Sequence, residues 1–165
     1  MATPVGHSIV GYTLARAAGV TSPRGLALAV GAASLPDVDF LLGYVTTGDP
    51  LSHHRQVITH KPAFPLLVGV AIGLVAGARA LLQGRLPSPG EVLRPAALAT
   101  ALVGSHVAMD PLPLPYDGTP LRTKELSEVL AAQAWNAVID MAFYGTAATL
   151  LFERNGTNGA RRAEA

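Results

Sequence analysis

Ser52-His53-His54-Arg55-Gln56-Val57-Ile58-Thr59-His60 gathers three of the chain's five histidines. The other two, His7 and His106, sit at ends of apolar segments, as do Asp37, Asp39 and Asp110. Neutral imidazoles with carboxylates form a donor set for zinc, manganese or iron rather than magnesium or calcium. A cation held by such a set lowers the pKa of a bound water to about 7 and polarises a carbonyl or phosphoryl oxygen. Several carboxylates would also let two ions sit about 3.5–4 Å apart, an arrangement suited to phosphoester hydrolysis.

Spacing limits how these groups can cooperate. His106 and Asp110 are four residues apart and share one helical face. Asp37 and Asp39 follow Pro36, so they project from a break rather than from a regular helix. His54 and His60 are about 240° apart on an α-helix, so one ion reaches both only where the backbone is irregular. Pro62 and Pro65 supply a reason for irregularity. His53 and His60 would share a face of a regular helix, and spacing leaves open which of His53 and His54 is the ligand. Arg55 is placed to hold a phosphate or carboxylate oxygen. Each of these residues has a plainer role as well: a solvated turn, an interfacial anchor, a surface arginine.

The elements that must carry them are apolar helices. Residues 4–20 read as a first helix, and Thr21-Ser22-Pro23 as a break followed by a cap. An apolar helix runs from Gly25 to Leu35, and a second apolar patch from Phe40 to Val45. Phe64 to Leu82 is nearly unbroken apolar sequence, long enough to cross a bilayer core of about 30 Å. Gln83 to Pro95 reads as a loop and Ala96 to Met109 as a fourth helix, short for a span. Pro111, Pro113, Pro115 and Pro120 mark an irregular loop, and a last helix is expected from Lys124 to Phe152. Within it Gln133, Asn136 and Asp140 form a polar stripe that must face the bundle interior, with Arg16 as the expected partner of Asp140.

If these helices run up and down, every histidine and every candidate carboxylate at a segment end falls on one face. Arg16, Arg24, Arg79, Arg85, Arg94, Arg154, Arg161 and Arg162 fall on the other, against Arg55, Lys61, Arg122 and Lys124 beside the histidines. For membrane-spanning helices that bias puts the C-terminus in the cytoplasm and the site on the outer side.

Composition agrees with a membrane setting. Half of the 165 residues are apolar and 14% are charged, against about 25% in an ordinary soluble domain. A net charge of +1 without a basic patch argues against a nucleic-acid partner. With no cysteine, disulfides, thiolate nucleophiles and Cys-based zinc sites are excluded. The first residues lack the basic run of a signal peptide, so the helices themselves are expected to bring the chain to the membrane.

Gly6-His7, Leu35-Pro36-Asp37-Val38-Asp39, His54-Arg55 with Thr59-His60, and His106 to Asp110 followed by Gly118-Thr119-Pro120-Leu121 occur in that order. With these motifs the chain resembles the membrane-bound metal-dependent hydrolases, the group that includes a LexA-regulated inner-membrane protein. That family is distantly similar to zinc-dependent phospholipase C, an all-α enzyme whose His and Asp ligands hold a metal cluster. The resemblance implies that His7, Asp37, Asp39, His54, His60, His106 and Asp110 are metal ligands or catalytic. The chain departs from the family in one extra residue between His54-Arg55 and Thr59-His60, in Lys61 where serine is usual, and in lacking a tryptophan after Leu121.

The expected architecture is an all-α, up-and-down bundle of about five hydrophobic, transmembrane helices with a metal site at one end. It forms one domain over residues 1–152, with a disordered tail at 153–165. The expected activity is hydrolysis of an ester or phosphoester in a lipid-like substrate. Zinc is the first choice of metal, manganese or iron the next, with one, two or more ions. Asp37 or Asp39 would bridge metals or act as base, and Arg55 would meet the substrate. Membrane lipids are the expected partners. A non-catalytic metal-binding membrane protein or transporter is the alternative. It would need a polar path to the opposite face, for which Arg16 and Asp140 are hints.

Overall fold

The computed structural model describes residues 3–48, 57–110, 134–149 and 152, which are mainly helical with no strand among them. The proline-rich segment after Asp110, the start of the expected last helix and the tail from 153 lie outside these described residues. Five helices carry the fold: α1 Pro4–Ala17, α2 Pro23–Ala33, α3 Val38–Thr47, α4 Ala63–Leu82 and α5 Pro89–Met109. Helical residues 134–149, here α6, contain a π-helical turn at Met141–Gly145. Two 3₁₀ turns, Leu35–Asp37 and Ile58–His60, precede α3 and α4. The architecture is an all-α up-and-down bundle.

Local chemistry sets these boundaries. Thr3, Ser22 and Ser88 cap α1, α2 and α5, their hydroxyls accepting from the N–H of Gly6, Gly25 and Glu91, with proline in each first turn. α1 stops three residues earlier than the apolar pattern suggests. The Gly19 N–H bonds to Arg16 O and the Val20 N–H to Ala15 O, a Schellman closure that Gly19 permits at φ +84°.

The largest departure from the sequence-based expectation is α5, which begins at Pro89 and not at Ala96. Ser88 and Glu91 form a complete capping box, and the helix runs on through Pro95 to Met109. Its 21 residues give a length of about 31 Å, enough for a span. α4, with 20 residues, is also long and apolar enough. α2 and α3 pass the same test only as a pair bent by 54°.

α1, α2 and α5 pack on one another around Ala15, Ala29 and Leu102, while α4 lies mainly against α5. Small residues let the backbones approach. A Cβ on Gly11 would stand 2.5 Å from the Ala33 Cβ, and one on Gly69 would stand 2.0 Å from Thr100 Oγ1 and 2.8 Å from Ala96 O. The order of contacts along α4 and α5, Pro65 with Gly104, Gly69 with Thr100, Gly73 with Ala96 and Gly77 with Val92, makes the pair antiparallel.

Polarity is inverted relative to a water-soluble core. Among the largest fully buried side chains are His7, His106, Thr3, Asp39 and Asp140, whereas Leu74 of α4 is 69% exposed and Leu82 is 90% exposed. Leucines turned outward and ionisable groups turned inward fit a surface covered by lipid.

Gly69→Leu therefore forces α4 and α5 apart, since Ala96 O is backbone and cannot turn away. Overpacking of this kind costs about 1–3 kcal/mol. The thermal midpoint of the detergent-solubilised protein falls, while Gly31→Ala, whose added Cβ meets nothing within 4 Å, leaves it unchanged or slightly higher.

Candidate metal centre

Five segment ends meet at one end of the bundle. α1 brings His7 in its first turn, the 3₁₀ turn after α2 brings Asp37, and α3 begins with Asp39 in its first turn. The 3₁₀ turn before α4 ends at His60, and α5 finishes with His106 followed by Asp110 at its C-cap. His53, His54 and Arg55 lie outside the described residues.

The gathered side chains are in direct contact. His7 and His106 stack with ring centroids 3.6 Å apart, and His60 meets His106 edge-on at 5.2 Å. The Nε2 atoms of His60 and His106 face each other at 3.3 Å. Asp110 straddles the cluster, with Oδ2 2.9 Å from His60 Nε2 and Oδ1 3.3 Å from His7 Nε2. Asp37 Oδ1 lies 3.4 Å from His106 Nε2. Two groups of three thus place one donor atom each within 4.8 Å of the others: His7, Asp37 and His106, and His60, His106 and Asp110.

Both facing imidazoles have their tautomer set from behind. The His106 Nδ1–H donates to Ala33 O at 2.8 Å. Ala33 O is available because the helix breaks there: in an uninterrupted helix it would accept from the Asp37 N–H, which instead bonds to Ser34 O. Pro36, which has no N–H to continue the ladder, sits at the centre of that break. The His60 Nδ1–H points to Asp39 Oδ2 at 2.7 Å, and the Thr59 hydroxyl donates to the same oxygen at 3.3 Å. Asp39 therefore lies behind His60, outside both groups of converging donors, although its sequence position resembles that of Asp37.

With both Nδ1 atoms protonated, two neutral rings would point lone pairs at each other across 3.3 Å. A cation between them relieves that repulsion. His7 supports the same conclusion: its buried Nδ1 has no hydrogen-bond partner among the described residues, nor has Asp37 Oδ2, and its Nε2 faces Asp110 Oδ1 at 3.3 Å. The chemistry of the donor set fits a divalent metal ion.

In the absence of a metal, the same surroundings favour a proton on His60. Burial works against a charged His60, but the hydrogen bond to Asp110 and the charges of Asp39, Asp110 and Asp37 outweigh it and hold the ring above its ordinary 6.5. Burial would raise the Asp110 carboxyl. The contacts with His60 and His7 and the charge of His106 overcome this and pull it well below the usual carboxylate range.

One expected pairing is corrected. Asp140 is buried and accepts from Thr3, through the backbone N–H at 2.6 Å and the hydroxyl at 2.5 Å. Arg16 is exposed at the opposite end of α1, about 20 Å away by helix rise. Sequence reasoning missed the roles of Thr3, Thr59 and Ala33 O. Thr3 was legible as a cap before Pro4, whereas a backbone carbonyl freed by a break leaves no residue-type signal.

These shifts fix the direction of two pH effects. A group whose pKa is raised on folding stabilises fully below its unfolded value, and that stabilisation is lost as pH rises through its folded value. Metal-free protein should lose thermal stability through His60 as the pH climbs above 6.5. Metal affinity should move oppositely, weakening as pH falls and beginning to do so above 6.5, because the His60 Nε2 proton competes. Differential scanning fluorimetry and chelator-competition titrations over the same pH range check both signs.

No curated protein and no solved structure matches the chain. A family model does match, over residues 1–122, and it covers all of the ligand candidates as well as α1 to α5. Taken with the apolar spans and the inward-facing histidines, that match places this chain in the YdjM inner membrane protein family.

Proposed function

We propose that the chain is a membrane-bound metal-dependent hydrolase acting on an ester or phosphoester in a lipid-like substrate, with zinc as the first choice of metal and manganese or iron as alternatives. The observation that carries this reading is the pair of opposed Nε2 atoms of His60 and His106, ringed by Asp37, Asp110 and His7. When bound, the metal would activate a water and polarise the substrate's carbonyl or phosphoryl oxygen.

The residues divide the remaining work. His60, His106 and Asp110 form the more buried ligand group, and His7 with Asp37 and His106 the other. His106 Nε2 has a single lone pair and serves one ion. Asp110, whose two oxygens face His60 and His7 separately, would help to hold a second ion if two bind. Asp39 holds His60 in its tautomer. Asp37 has a side chain 20% exposed, more than that of Asp39 or Asp110, and its Oδ2 is free to take a proton from the attacking water. Arg55, adjacent to His54 in the sequence, is the proposed contact to a substrate oxygen.

Metal analysis of purified protein tests the site. His60→Ala, His106→Ala and Asp110→Ala should each lower bound metal about tenfold or more, and unchanged content in all three ends the proposal. Asp37→Asn should keep the ion held by His60, His106 and Asp110 but lose turnover of a chromogenic phosphodiester or carboxylic ester presented in mixed micelles. A metal-loaded protein that turns over neither ester would point to the non-catalytic alternative.

The site is proposed to face the outer side of the membrane, with the C-terminus in the cytoplasm. Among the described residues Arg16, Arg24, Arg79, Arg85 and Arg94 lie toward the end of the bundle away from the histidines, and Lys61 lies beside them. Because the chain has no cysteine, Lys61→Cys and Arg85→Cys each create a single label site. A membrane-impermeant maleimide should modify Lys61→Cys in spheroplasts and Arg85→Cys only after lysis. The reverse pattern overturns the orientation.

A further inference from the structure

We infer that Asp140 is a positioning residue for the metal centre, acting through Thr3 and the first turn of α1 on His7. The inference rests on the metal-site reading given above. It concerns a residue beyond the segment that the family model covers.

Asp140 is fully buried on α6, directly before the π-helical turn Met141–Gly145. Insertions of this kind are frequent at functional sites. A buried carboxylate in an apolar helix is costly unless it is hydrogen-bonded. Here one oxygen, Oδ2, accepts both the backbone N–H and the hydroxyl of Thr3. Thr3 is itself the N-cap of α1: its oxygen accepts from the Gly6 N–H at 3.4 Å, and its carbonyl accepts from the His7 N–H at 3.0 Å. The carboxylate thus fixes the residue that fixes the turn bearing His7. Its negative charge at the N-terminus of α1 also complements the helix dipole.

Gly6 adds independent evidence that the approach is tight. A Cβ there would lie 2.7 Å from Asp140 Oδ2 and 3.1 Å from the Tyr144 ring. Within the same turn His7 stacks on His106 and reaches toward Asp110. Its Nδ1 has no hydrogen-bond partner among the described residues, so Asp110 Oδ1 at 3.3 Å from Nε2 is the polar contact that the ring is left with there. With no hydrogen bond on Nδ1 to steer it from behind, the approach of the His7 ring to Asp110 and His106 depends on the backbone that carries it, and that backbone is tied to α6 through Thr3.

The test is a cobalt(II) titration of the full chain in detergent, reading the visible ligand-field spectrum and the dissociation constant. Asp140→Ala should weaken cobalt binding about tenfold and alter the spectrum, with Asp140→Asn, which keeps an acceptor, falling between it and the wild type. Gly6→Ala, whose methyl group would push Asp140 away, should weaken binding in the same way. The deciding measurement is a cycle with His7→Ala: once His7 is gone, Asp140→Ala should cost no more than about twofold. Losses that multiply in the cycle would mean general destabilisation and overturn the inference, as would unchanged binding in both Asp140 variants. If Asp140→Ala does not fold, Asp140→Asn and Thr3→Ala enter the same cycle and decide it by the same criterion. Wild-type protein that binds no cobalt removes the metal reading itself, a failure distinct from unaltered binding in the variants.

Discussion

Two imidazole nitrogens facing each other across 3.3 Å are the constraint on which the rest of this structure turns. Each ring has its other nitrogen committed to an acceptor, Ala33 O for His106 and Asp39 for His60. Neither can rotate its lone pair away without abandoning a buried hydrogen bond, which costs about 1–3 kcal/mol. A positive charge in the gap, whether a proton or a metal ion, relieves that conflict. The surrounding carboxylates favour that charge, and they require it in turn, because three acids at the end of an apolar bundle repel one another in a low dielectric. The charges of the cluster are therefore mutually dependent, and none is well placed without the others.

Holding such a cluster calls for helices that come very close and do not slide. At its closest crossings the chain achieves this with alanine and glycine. Gly11 against Ala33 and Gly69 against Thr100 bring backbones together at two crossings, and α5 takes part in both the inner trio and the pairing with α4. The leucines of α4 are left to face the lipid, while Leu102 and Val103 of α5 stay inside. In the membrane, burying apolar surface gains little, so packing of this kind and internal hydrogen bonds carry the association.

Much of this was legible in the sequence because alternation of apolar segments is a strong signal. Counting helix directions brings His7, Asp37, His60, His106 and Asp110 to one end, and the structure places them in contact there. Other features were less accessible. Pro95 reads as a stop, yet the capping box at Ser88 and Glu91 starts α5 before it, and that pattern was the better guide. Asp37 and Asp39 are alike by residue type and near neighbours, and only the 3₁₀ turn that separates their directions distinguishes the one at the donors from the one behind His60. Asp140 was recognisable as an inward-facing acid, but its partner was not. The pairing with Thr3 depends on how α6 lies against α1, which no local pattern encodes.

The interruption between α2 and α3 has a consequence that reaches beyond its shape. Because the carbonyl that orients His106 belongs to a residue whose own side chain is a methyl group, trimming that methyl to hydrogen would leave the acceptor in place. Mending the ladder at Pro36 would instead consume it, with every histidine and aspartate still present. The cluster is thus vulnerable at positions that an inventory of polar side chains would pass over, and a backbone defect has to be inherited together with the ligands it serves.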